Sequence, residues 1–131
     1  MRKKPEVLLD TSVFLLIYEG IDIFDKINEA LLAKCRFLTL SHVIDELLAL
    51  ATRNHGRRGR AARLALNLLS KKVEIVNTDL KGKVDDVIVK FVEMKRDIYV
   101  ATADVELKNR LIQKAKGVLL FRKSKMGFEL L

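Results

Sequence analysis

The stretch Arg36-Phe37-Leu38-Thr39-Leu40-Ser41-His42-Val43-Ile44-Asp45-Glu46-Leu47 changes its period half-way along. Its first five residues, RFLTL, form a short apolar run of strand length. From Ser41 onward the apolar residues Val43, Leu47 and Leu50 recur at helical spacing. A strand that passes straight into a helix is half of a βαβ unit. The same alternation extends outward in both directions. Upstream, Val7-Leu8-Leu9 is a short buried run closed by Asp10, and Ile21 to Lys34 has helical spacing through Ile23, Ile27, Ala30 and Leu31. Further strands are expected over Val73 to Val76, Ile98 to Ala101 and Val118 to Phe121. Helices are expected over His42 to Asn54, Arg57 to Lys71, Val84 to Lys95 and Val105 to Lys116, the last with an outward Glu106–Arg110 pair. Parallel strands are covered on both faces and so read as continuous apolar runs. The pattern predicts an α/β fold: one three-layer α/β/α sandwich over residues 1–131, with a central five-stranded, mainly parallel sheet.

Composition narrows the classes. The chain has 131 residues, with 25 Lys+Arg against 17 Asp+Glu and a net charge of +8. A chain of this length buries roughly two-thirds of its unfolded surface, so it needs no disulfide or metal staple. The single cysteine, Cys35, excludes an intrachain disulfide and a cysteine-rich zinc site and fits a reducing, cytoplasmic setting. The apolar run from Val13 to Tyr18 is far short of the ~20 residues of a membrane-spanning helix. Arg2, Lys3 and Lys4 resemble the start of a signal peptide, but Glu6 and Asp10 interrupt its apolar part. The positive charge points to an anionic partner, nucleic acid foremost, or else to a soluble basic surface and nothing more.

Acids stand where such a fold places its sites, beyond the carboxyl ends of the strands. Asp10 follows the first strand, Asp104 the fourth, and Asp85 and Asp86 open the helix after the third. Glu46 shares the apolar stripe of Val43, Leu47 and Leu50 and is expected to face inward, where an unpaired charge costs several kcal/mol. Each acid has an ordinary use: an Asx turn at Asp10, caps at Asp85, Asp86 and Asp104, an ion pair for Glu46. Four acids converging on one edge, however, repel each other unless cations intervene. An oxygen-only donor set suits Mg²⁺ or Mn²⁺ rather than Zn²⁺.

Leu8-Leu9-Asp10-Thr11-Ser12, Val43-Ile44-Asp45-Glu46-Leu47, Asp86-Val87-Ile88-Val89 and Ala101-Thr102-Ala103-Asp104, in that order, resemble the PIN domain. The resemblance implies a metal-dependent ribonuclease, either a VapC-type toxin or a ribosomal-RNA-processing nuclease, with the segments around Asp86 and Asp104 closer to the processing type. It implies Mg²⁺ or Mn²⁺ held by Asp10, Glu46, Asp86 and Asp104. The interval 104 − 86 = 18 matches the family's spacing and favours Asp86 over its neighbour Asp85. Ser12 and Thr102 fall at small hydroxyl positions beside the acids, where the resemblance has them orient a carboxylate or a water and where they could equally serve as caps. Two metal ions about 3.5–4 Å apart would activate water and stabilise the leaving oxygen. The partners implied are RNA, a second copy of the chain, and an antitoxin or a ribosome-biogenesis protein; no membrane is expected.

The substrate side has its own signal. Arg53, Arg57, Arg58, Arg60 and Arg63 are five of the chain's ten arginines and fall within eleven residues, in what Gly56 and Gly59 mark as a loop between two helices. Guanidinium forks fit phosphates. Aromatic residues are few, and most are expected in the core, which favours recognition of the RNA backbone or of structured RNA over base stacking. No P-loop, dinucleotide fingerprint, HExxH or nucleophile elbow is present. A phosphoreceiver domain would want an acid pair after the first strand, where Asp10 stands alone. The alternative from another class is a non-catalytic RNA-binding or scaffold protein on the same fold. A pure polyanion binder gains nothing from clustered acids.

Overall fold

The computed structural model describes residues 3–131; Arg2, read above with Lys3 and Lys4, lies outside the described residues. The chain runs β1 (Glu6–Leu9), α1 (Thr11–Leu15), a 3₁₀ turn (Leu16–Glu19), α2 (Ile23–Leu31), β2 (Arg36–Leu40), α3 (Ser41–Arg53), α4 (Arg57–Lys72) and β3 (Val73–Val76). It continues through α5 (Val84–Met94), β4 (Tyr99–Thr102), α6 (Val105–Leu111), β5 (Gly117–Arg122), a second 3₁₀ turn (Lys123–Lys125) and β6 (Gly127–Leu130).

The sheet has the order β3-β2-β1-β4-β5-β6. All pairings are parallel except that of β6 with β5. The α/β sandwich is therefore as expected, with six strands in place of five. The added β6 is a short antiparallel hairpin partner that follows Met126 in the left-handed region (φ 48°). Helices cover both faces. Val7, Leu8 and Leu9 are buried among Ile88, Leu107, Leu111 and Leu119, so the apolar run of β1 sits at the centre of the core. Among the described residues no helix is long and apolar enough to cross a membrane.

The register closes the edge at which the strands begin. Glu6 lies opposite Arg36, and its carboxylate accepts from Arg36 Nη1 at 2.9 Å and pairs with Lys95 Nζ at 3.0 Å. Arg36 also reaches Glu74 of β3. The other edge, where the strands end, is left to a different set of charges. Strand order reverses between β1 and β4, which are neighbours in space but far apart in sequence. Open α/β sheets place their ligand crevice at such a reversal.

Two expected details differ. The outward Glu106–Arg110 pair does not form; Arg110 instead pairs with Asp86 across the α5/α6 contact at 2.8 Å. The expected arginine loop is only Asn54-His55-Gly56, and Arg57, Arg58, Arg60 and Arg63 belong to the first turns of α4. Gly59 is helical and buried because α3 and α4 meet there. A Cβ on it would lie 1.6 Å from the Asn54 carbonyl oxygen.

Candidate functional site

Asp10 ends the β1 run and starts α1, so its position is fixed from both sides. It is only 4% exposed. Its Oδ1 accepts from the Thr11 amide at 2.7 Å, the N-cap bond of α1. Its Oδ2 accepts from Ser12 Oγ at 2.7 Å and from Thr102 Oγ1 at 2.8 Å. Each hydroxyl has one proton, and both protons are directed to Asp10. The 3.4 Å approach of Ser12 Oγ to Thr102 Oγ1 therefore carries no hydrogen bond of its own. The hydroxyl lone pairs are used as well: Ser12 Oγ accepts from the Ala103 amide and Thr102 Oγ1 from the Asp104 amide, each at 3.0 Å. Ser12 and Thr102 thus join the end of β1 to the end of β4. Behind them Thr39 Oγ1 donates to the Leu9 carbonyl at 2.8 Å and ties β2 to the same corner.

Burial pushes the Asp10 carboxyl above its ordinary value. The bonds from Ser12, Thr102 and Thr11 pull it back, and the charge of Glu46 adds to the rise. Asp104 is the N-cap of α6, and its Oδ1 accepts from the Glu106 and Leu107 amides at 2.8 and 3.4 Å. Asp85 and Asp86 sit in the first turn of α5 and part company there. Asp86 turns to Arg110. Asp85 turns to the crevice: burial raises its pKa first, then the charges of Asp10, Asp104 and Glu46, against the lowering by Arg110. The acid in electrostatic contact with the other three is Asp85, whereas spacing had pointed to Asp86.

Glu46 is exposed rather than turned into the core. The buried side of α3 is centred on Val43 and Leu47, with Leu50 only partly covered, so Glu46 falls at the margin of the stripe. There it lines a cleft of about 550 Å³ with Asp85, Asp45, His42, Gly82, Lys83 and Val84. His42 Nε2–H donates to the Leu80 carbonyl at 2.8 Å, which fixes its ring at the cleft wall.

The arginines divide into two kinds. Arg63 Nη1 donates to the Ala51 carbonyl at 2.7 Å and Arg60 Nη1 to the His55 carbonyl at 3.2 Å, so both secure the α3–α4 turn. Arg57 lies 3.5 Å from Glu19. Arg53 and Arg58 are exposed and make no such bond among the described residues. Sequence reading missed Thr39 and Arg110. A threonine inside an apolar strand run was the available signal for the first; nothing local signals the second, whose partner is on another helix.

The donor chemistry fits a hard cation. Asp10 Oδ1 has accepted one bond, and neither Glu46 nor Asp85 has a hydrogen bond or ion pair among the described residues. The carboxylates are arranged openly, however: among the described residues no three His, Cys, Asp or Glu side chains form a closed metal cage. An open oxygen set of this kind fits Mg²⁺ or Mn²⁺ that keeps much of its water.

The structure is similar to that of the "PIN domain endonuclease Utp24", with a TM-score of 0.76 and 26% identity over 95% of this chain and 90% of that one. It also shares its fold with a domain of a functionally unknown protein from Methanocaldococcus jannaschii DSM 2661 (TM-score 0.63, 17% identity, 90% and 91% covered). A third likeness in fold is to VapBC2 from Rickettsia felis bound to a DNA fragment from their promoter (TM-score 0.60, 14% identity, 79% and 92% covered). No curated protein matches the sequence. The model of the family described as "PIN like domain" matches residues 7–124, from the strand that precedes Asp10 to the turn beyond β5, and the chain belongs to that family.

Proposed function

We propose that the protein is a ribonuclease that hydrolyses RNA phosphodiester bonds with Mg²⁺ or Mn²⁺ held by Asp10, Glu46, Asp85 and Asp104. The observation that carries this reading is Asp10. A buried carboxylate that accepts from three donors at the reversal of strand order, with the charge of Glu46 adding to its raised pKa and those of Asp10, Asp104 and Glu46 adding to that of Asp85, has no value to a binding surface. A bound divalent ion supplies charge neutralisation for the phosphate and lowers the pKa of a water. The chain's own part is to hold the carboxylates. Ser12 and Thr102 keep Asp10 in one rotamer, the α6 amides keep Asp104 in place, and Arg110 draws Asp86 away from the crevice. Arg53, Arg57 and Arg58 offer forks to the phosphates of the strand. The likeness to Utp24, an endonuclease, supports the hydrolytic reading, and the segments around Asp86 and Asp104, which resemble the processing type, make a place in ribosomal-RNA processing our preference over a toxin's.

The test is RNA cleavage in Mn²⁺ by variants whose circular dichroism shows them folded. Asp10→Asn is expected to lose cleavage by a hundredfold or more, on the order expected for removal of a metal-centre charge. Asp85→Asn should fall at least about tenfold and Asp86→Asn much less, since only the first faces the other acids. Full activity in Asp10→Asn overturns the reading. The reverse ranking of the α5 pair returns the ligand role to Asp86.

A further inference from the structure

Tyr18 is an aromatic residue in an unusual place. The 3₁₀ turn that follows α1 buries Leu16 and leaves Tyr18 37% exposed before Gly20 (φ 82°) turns the chain away. An exposed tyrosine by itself needs no explanation. This one is held. Its hydroxyl accepts from Arg60 Nε at 3.1 Å, and the same guanidinium is fixed at its other end by the His55 carbonyl. The guanidinium carbons of Arg57 and Arg60 each lie 6.0 Å from the ring centroid. That distance is the outer limit of a cation–π contact, so neither guanidinium is stacked closely on the ring.

The location links this group to the acid centre. Tyr18 ends the segment that starts at Asp10, and Arg57 follows the helix that carries Glu46. The 3₁₀ turn packs on α4, so both arms leave the carboxyl edge of the sheet and meet again at the tyrosine.

A partly exposed ring held by the fixed guanidinium of Arg60, with the weakly paired guanidinium of Arg57 close by, is a combination that can take a base by stacking and a phosphate at its side. We infer that Tyr18, with Arg57 and Arg60, is a stacking platform for one unpaired nucleobase of the RNA, with Arg57 turning from Glu19 to a flanking phosphate. The inference rests on the RNA reading above and narrows its substrate to RNA with a single-stranded segment. A paired base has both faces covered and cannot use the ring.

The chain carries its own reporter, because it has two tyrosines and no tryptophan. Binding of a single-stranded oligoribonucleotide in EDTA is followed by tyrosine emission and, with a labelled strand, by anisotropy. Wild type is expected to show quenching on binding. Tyr18→Phe, which leaves Tyr99 as the only tyrosine, should bind within about threefold of wild type but lose the quenching. Tyr18→Leu should weaken single-strand binding about tenfold and leave the weaker binding of a duplex of equal length unchanged. If RNA binds but Tyr18→Leu binds it as well as wild type and the emission does not change, this inference falls and the RNA reading stands. If wild type binds neither strand form, the RNA reading falls and takes the platform with it. Should Tyr18→Leu fail to fold, quenching in wild type compared with Tyr18→Phe decides alone.

Discussion

Asp10 serves three purposes with two oxygens. It caps α1, it gathers Ser12 and Thr102, and its Oδ1, with one bond accepted, has an acceptor position to spare. Its raised pKa gives the sign of a pH effect. A carboxyl with a folded pKa above its unfolded value contributes stability that is fully present below about 3.8 and is lost as pH rises through the folded pKa. Asp10→Asn never ionises and avoids that loss. In EDTA, the melting temperature of Asp10→Asn relative to wild type should therefore climb as pH rises from about 4 through the folded pKa, then level off. A difference that shrinks over this window refutes the assignment. Thr102 gives a second outcome. It is fully buried, and Thr102→Val removes a donor to Asp10 and an acceptor for the Asp104 amide. Chemical denaturation should show a loss of about 1–3 kcal/mol, recovered in large part by Thr102→Ser. The places of Asp10 and Asp104 at the strand ends were legible in the sequence because each follows directly on an apolar strand run. That Asp86 pairs with Arg110 while Asp85 lines the cleft was not, because neighbours on a helix differ by a rotation that only the packing of α5 on α6 fixes. Glu46 does not face inward as its stripe suggested: it lies at the margin of the stripe and not within it.

At the scale of elements, strands Arg36–Leu40 and Val73–Val76 were legible to the residue: the first as a short, mostly buried apolar run, the second, an edge strand with Glu74 and Ile75 exposed, from its β-branched residues. α1 and its 3₁₀ turn were not. Val13 to Tyr18 is apolar throughout, which hides any period. β6 was missed because it is short and its burial is confined to Phe128, packed edge-to-face on Phe121 at 5.5 Å. The helical hairpin of α3 and α4 has one point of no tolerance. Gly59 lets the α4 backbone approach the end of α3, and Arg60 and Arg63 then bond to the carbonyls that the turn exposes. Gly59→Ala forces the two helices apart and should cost about 3 kcal/mol or more in denaturant unfolding, although alanine is the better helix former. Gly56→Ala meets only the Asn54 side chain at 3.2 Å and should be far milder.

Across the whole molecule the charges are sorted by edge. Glu6, Arg36, Glu74, Lys95 and Asp97 neutralise one another where the strands begin. At the other edge Asp10, Glu46, Asp85 and Asp104 make no ion pair among the described residues, while Asp86 pairs with Arg110. Replacing Arg57 and Arg58 together with Ala should reduce the slope of log binding constant against log salt for single-stranded RNA by roughly 1.4, about 0.7 for each phosphate that is no longer neutralised. An unchanged slope places the phosphate-binding residues elsewhere. One further consequence concerns descent. Asp10 and Asp104 are both helix caps, and asparagine caps a helix about as well as aspartate. An Asp codon becomes an Asn codon by a single base change. Chemistry and architecture are therefore separable by the smallest mutational step, and at Asp10 folding stability at neutral pH favours that step. On the ribonuclease reading proposed above, selection for cleavage is what would hold the acid in place. Where a lineage ceases to need the cut, its chains should drift first to Asn at these positions while sheet, hairpin and arginines persist.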